Sequence, residues 1–151
     1  MAHIVQERVG PVASVTGSIY LLFFPIPIVC FLGALITDAV YSRSAQLMWL
    51  HFSQWLLAAG LLFGLLAAIA LLVEFIASAA IRDRTGWSHL ILFYAALIVE
   101  LFNALIHTRD GFTAVVPIGL TLSVIGSILA LAAVATSFFI PVRGARREVR
   151  P

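Results

Sequence analysis

SHLILFYAALIVELFNALIH, residues 88–107, decides the fold and carries the chemistry. At about 1.5 Å per residue this apolar stretch is long enough, as a helix, to cross the hydrocarbon of a bilayer. Yet it contains His89, Glu100, Asn103 and His107. At about 100° per residue these four positions fall within a sector of roughly 60°. They form one line from membrane face to membrane face, with Glu100 near the middle. Ionisable groups inside a membrane are costly and face a protein interior or a water-filled cavity. Glu100 is therefore expected inside a bundle as the neutral acid, hydrogen-bonded to a neighbouring helix, with Ser123 or Ser127 as the partner. The line marks a site; it does not name a reaction.

Around that stretch the composition is that of a membrane protein. The chain has 151 residues, of which 62% are hydrophobic and 11% charged, and its mean hydropathy is +1.10. A soluble domain is not so apolar. At roughly 20 residues per span the length suits four spans and leaves no room for a second domain. The expected fold is all-α, an integral-membrane four-helix bundle. Its parts are a tail over 1–17, spans at about 18–41, 47–81, 88–107 and 113–140, and a basic tail over 141–151. The single cysteine, Cys30, excludes an internal disulfide and any multi-cysteine cluster.

The first span holds Pro25 and Pro27, which predict a kink, and ends near Asp38, expected at the interface beside Arg43. Gly60 and Gly64 in the second span form a GxxxG that favours close approach of a helix, within the chain or in a dimer. Glu74 near its end is expected to reach the interface or to pair with Arg82 or Arg84. RDRTGWS, residues 82–88, reads as a charged loop. The fourth span carries Gly119, Ser123, Gly126, Ser127 and Ala130 as a packing side.

His51 and His107 belong to antiparallel neighbours and are expected at similar depth. Two imidazoles facing each other across a bundle hold a b-type haem, and neutral imidazole also suits zinc or copper. The bland alternative is two interfacial histidines. The sequence has no CxxCH, no HExxH, no phosphate-cradling glycine loop and no serine nucleophile motif. A basic tail beside a membrane suits anionic headgroups rather than nucleic acid.

Phe24-Pro25-Ile26 opens the first span and Asp38 closes it; WLLAAGLLFGLLAAIALLVEF, residues 55–75, fills the second; His89 begins the third. In these features the chain resembles the bacterial membrane-protein family catalogued as domain of unknown function 2231, over roughly residues 17–138. It departs where that family often has His-Pro, here Ser18-Ile19, and where it often has an aspartate, here Glu74. The resemblance implies a four-helix inner-membrane protein. Some family members look joined to Rieske-type domains, which implies redox surroundings.

Three functions follow. The first is a structural or assembly subunit, bound to a membrane-protein partner or to its own copies in the bilayer. The second is a haem-holding redox module using His51 and His107. The third is a proton carrier or relay through Glu100, Asn103 and His107.

Arginine placement predicts the orientation. Arg8, Arg82, Arg84, Arg143, Arg146, Arg147 and Arg150 lie on one side, and Arg43 and Arg109 on the other. Short loops rich in arginine stay in the cytoplasm, so both termini are expected there. Reporter fusions at Arg84 and Arg147 should report the cytoplasm, and fusions at Arg43 and Arg109 the opposite face. Termini on opposite faces would refute the orientation.

Overall fold

The computed structural model describes residue 17 and residues 19–77, 79–109 and 115–139. The two tails and residues 110–114 lie outside this range. Four helices are long and apolar enough to cross a membrane: α1 (Ile19–Ser44), α2 (Leu47–Ala77), α3 (Gly86–His107) and a span over Val115–Ser137. The last begins as a π-type turn, Val115–Gly119, and continues as α4 (Leu120–Phe139). Helices are the form such sequences must take, because lipid offers no partner to a free backbone N–H or C=O.

The helices run up and down, and each packs on two neighbours, closing a ring α1–α2–α3–α4–α1. One end of the bundle holds Ser44, Leu47, His107 and Val115; the other holds Ile19, Ala77 and Gly86. We refer to these as the Ser44 end and the Ala77 end.

Both prolines of α1 act at a restart of the helix. Phe24 donates its N–H to the Tyr20 carbonyl at 2.8 Å, and a fresh helix begins at Pro25. In a first turn the missing proline N–H costs little, since that donor has no intrahelical partner anyway. Pro27 is buried, and its Cβ lies 3.4 Å from where a Gly64 side chain would begin. Two residues, Ala45 and Gln46, connect α1 to α2, with Ala45 left-handed at φ 52° and its N–H on the Tyr41 carbonyl.

Residues 82–88, expected as a loop, are helical in backbone except at Gly86. There φ is 71°, a conformation that glycine adopts without steric cost. The chain changes direction at that one residue. The second span ends at Ala77, short of the expected 81.

The core is built from small residues. Ala67, Ala96, Ala130 and Ala133 are all fully enclosed, alongside Phe31, Leu57 and Phe93. Ile36, Leu62, Ile69, Ile98 and Ile128 point outward, where lipid replaces water as their solvent. The glycine pair of α2 serves the chain's own packing. A side chain at Gly60 would begin 2.6 Å from Phe31 Cε1, and one at Gly64 2.5 Å from Leu97 Cδ2. α1 and α3 thus press on this face from either side.

Gly60→Val should push Phe31 and Cys30 away and lower stability by about 1–3 kcal/mol, as overpacking does. Thermal melting in detergent reads the loss, and size-exclusion should show no change in oligomeric state. An unshifted melt with altered oligomer size would place this face between chains instead.

Candidate functional site

Asp38 was expected at the interface beside Arg43. The structure corrects this: Asp38 is completely enclosed, while Arg43 is exposed. The reason lies in its helix. Phe31, Ala34, Asp38 and Tyr41 share the buried stripe of α1, at the three- and four-residue steps of a helix face. Asp38 therefore enters the core at the Ser44 end, and each other helix brings it a donor. Ser53 of α2 donates to Oδ1 at 2.5 Å. His107 of α3 approaches the same oxygen through Nε2 at 2.9 Å. Ser123 of α4 donates to Oδ2 at 2.5 Å. One carboxyl group is bonded to all three other helices, the diagonal α3 included.

The bonding of His107 fixes its protons. Its Nδ1 faces the Asn103 carbonyl at 2.9 Å. A carbonyl only accepts, so Nδ1 carries hydrogen. Two lone pairs would repel along the Nε2 to Oδ1 line, so a proton lies on it. Whether the pair is imidazolium and carboxylate or imidazole and acid, it is neutral as a unit. That is the condition for burying it in a membrane.

Asn103 extends the cluster toward the bundle centre. Its Nδ2 donates to Ser123 Oγ at 2.8 Å and to Glu100 Oε2 at 2.9 Å. Thr37 lies on the other flank, with its hydroxyl 2.6 Å from Ser53 Oγ. Among the described residues, two enclosed side-chain atoms have no partner: Glu100 Oε1 and Asn103 Oδ1. Glu100 itself is completely buried, and a side chain at Gly126 of α4 would overlap its carboxyl.

A second cluster sits toward the Ala77 end. His89 Nδ1 faces the Ala133 carbonyl of α4 at 2.9 Å, so Nε2 of the neutral ring accepts from the Tyr20 hydroxyl of α1 at 2.5 Å. Phe24 and Phe93 flank the ring, with centroids 5.4 Å and 6.5 Å away. Glu74 of α2 is buried here against Gly17, three residues from the end of its helix; Arg82 and Arg84, its expected partners, have side chains outside the described residues. Between the two clusters lies an apolar layer of Phe31, Leu57, Ala96 and Ala130.

A bundle of four apolar helices with this arrangement invites comparison with known membrane proteins. The family model described as predicted membrane protein (DUF2231) matches residues 19–144. The chain belongs to that family. No curated protein and no solved structure matches it.

In this DUF2231 protein all four residues of the α3 line, His89, Glu100, Asn103 and His107, are buried. The structure brings Glu100, Asn103 and His107 into one network and sets His89 apart in another. The imidazoles of His51 and His107 do not bond each other, but Gln54 links the two positions, its Nε2 donating to the His107 carbonyl at 2.6 Å. His51 is exposed and bonds Gln54 of its own helix at 3.3 Å. Both nitrogens of His107 are occupied, so a metal at that ring would displace Asp38 or the Asn103 carbonyl. Among the described residues no three His, Cys, Asp or Glu side chains converge as a metal ion needs. Sequence reasoning missed Ser53 and Tyr20. Ser53 was findable: it lies seven residues before Gly60 on the same buried stripe of α2.

Asp38→Ala would leave His107, Ser53 and Ser123 without their shared acceptor. Removing one partner of a buried pair costs about 3–5 kcal/mol. Unfolding in detergent should show a loss of that order, and Asp38→Asn, which keeps an acceptor oxygen, a smaller one. Equal, negligible effects would deny the carboxylate its role.

Proposed function

We propose that this protein is a structural subunit of a larger assembly in the inner membrane, whose buried polar groups fasten helices instead of carrying out a reaction. The observation that carries this reading is the Asp38 carboxyl group, which is hydrogen-bonded to α2, α3 and α4 together. Its donors have little freedom left. Ser123 accepts from Asn103 and donates to Asp38, and Ser53 donates to Asp38 beside Thr37. The Ala77 end repeats the arrangement with His89 at its centre.

The direction of the bonds supports fastening over conduction. Asn103 Nδ2 donates both to Ser123 and to Glu100. An amide nitrogen does not accept, so a proton cannot hop through it from one neighbour to the other. The apolar layer of Phe31, Leu57, Ala96 and Ala130 then separates Glu100 from His89, about 16 Å along α3 at 1.5 Å per residue. The outer faces carry exposed isoleucine and leucine, a surface that a neighbouring transmembrane helix can cover as readily as lipid.

Native electrophoresis of membranes solubilised in mild detergent tests the reading. The chain should migrate in a complex of fixed stoichiometry, and Asp38→Ala should release it. A chain that runs alone in every mild detergent, and after crosslinking in intact membranes, would overturn the proposal.

A further inference from the structure

Helix fastening accounts for Asp38, His107, Asn103, Ser123, Tyr20 and His89, each bonded across helices. It does not account for Glu100. The carboxyl of Glu100 accepts from Asn103, one turn along the same helix, and joins no second helix. Its other oxygen, fully enclosed, meets no donor. Gly126 leaves the space it fills, where a larger residue on α4 and an apolar one at 100 would pack without any polar group. A carboxyl fully enclosed within a membrane-spanning helix, with no bond between helices in return among the described residues, points to a use other than packing.

We propose that Glu100 is a membrane-embedded proton-binding site, exchanging its proton with water from the Ser44 end of the bundle. The local bonding fits the acid: Oε2 accepts from Asn103 as a carbonyl oxygen, and Oε1 carries the hydrogen. The titratable groups around it are Asp38 from α1 and His107 from its own helix. The α2 and α4 side chains in the network, Ser53 and Ser123, are hydroxyls. Since Asp38 and His107 are neutral as a pair, neither fixes Glu100 as an anion. On proton loss the charge stays on the Glu100 carboxylate, and the proton leaves as hydronium.

The route avoids the amide nitrogen. Asn103 Oδ1, the second unpartnered oxygen, lies on the way to the Ser44 end. It stands 3.6 Å from where a Gly119 side chain would begin, and His107 Cε1 stands 3.1 Å from the same point. On this proposal water exchanges past His107 on the Gly119 side, reaching Oδ1 and then the Glu100 acid as side-chain motion opens the close contact there. In the opposite direction lies the apolar layer, which offers water no polar partner.

Infrared spectroscopy of the protein in lipid nanodiscs tests this on the wild type, labelled with ¹³C-glutamate. A carboxylic-acid C=O band should appear that shifts with the label, shifts again in D₂O, and is lost as pH is raised. Glu100→Gln should abolish that band and Glu74→Gln should keep it. Gly119→Ala, which narrows the route, should slow the D₂O shift. A label-sensitive acid band that is absent, that survives Glu100→Gln, or that neither exchanges nor titrates would overturn the proposal. An exchange rate untouched by Gly119→Ala would overturn the route. None of these readouts depends on whether the chain sits in a larger assembly.

Discussion

The Asp38 carboxylate is the constraint on which the bundle depends. Between apolar helices in lipid there is no hydrophobic drive, because the lipid is as apolar as the side chains. Association then rests on close packing and on hydrogen bonds that lipid cannot replace. A buried hydrogen bond contributes about 0.5–1.5 kcal/mol in net terms, and more where a partner is charged. Asp38 takes three, one from each other helix, at 2.5, 2.9 and 2.5 Å. Fixing the depth of one residue therefore fixes the register of four helices at the Ser44 end. His89 joins three of them, α1, α3 and α4, near the Ala77 end through Tyr20 and Ala133, and the alanine-rich middle only has to fit.

That arrangement explains why the packing uses so many small residues. A hydroxyl on α4 reaches a carboxylate on α1 at 2.5 Å only if the backbones come close. Gly60 and Gly64 admit Phe31 and Leu97, and enclosed alanines line the remaining contacts. Small residues and polar clusters are thus one device. The former bring backbones within reach, and the latter reward a single register. Enlarging a glycine should act on the clusters as well as on the local contact.

Much of this was legible in the sequence. The four spans were, because the number of apolar runs follows from length and hydropathy. So was the inward line of α3, because His89, Glu100, Asn103 and His107 are polar marks on an apolar cylinder and make its face visible. Asp38 was not, and the reason is physical. In α1 every side is apolar, so the buried stripe leaves no trace in hydrophobicity, and one aspartate six residues before the helix end reads as an interfacial group. Only the partners reveal its depth. The break at Gly86 was hidden similarly: charged residues before it suggest a loop, while the backbone stays helical and turns at one glycine. Depth alone does not specify azimuth: the His107 ring bonds Asp38 inside the bundle, while the exposed His51 ring meets the His107 backbone only through Gln54.

Sorting the polar residues by what they join leaves one division that sequence could not make. His107 and Glu100 share a helix face and lie two turns apart by the usual 3.6 residues per turn, so periodicity treats them alike. The structure does not. His107 is bound at both nitrogens, between a carboxylate on α1 and its own helix's carbonyl, and its proton is held between two heavy atoms. Glu100 has one bond and one bare oxygen. A proton shared along a hydrogen bond is retained by both partners, whereas a proton on an oxygen without an acceptor is retained by one bond alone. Within one continuous cluster, then, the groups nearest the end of the bundle are the ones locked in place. The group nearest its centre is the one left free to change.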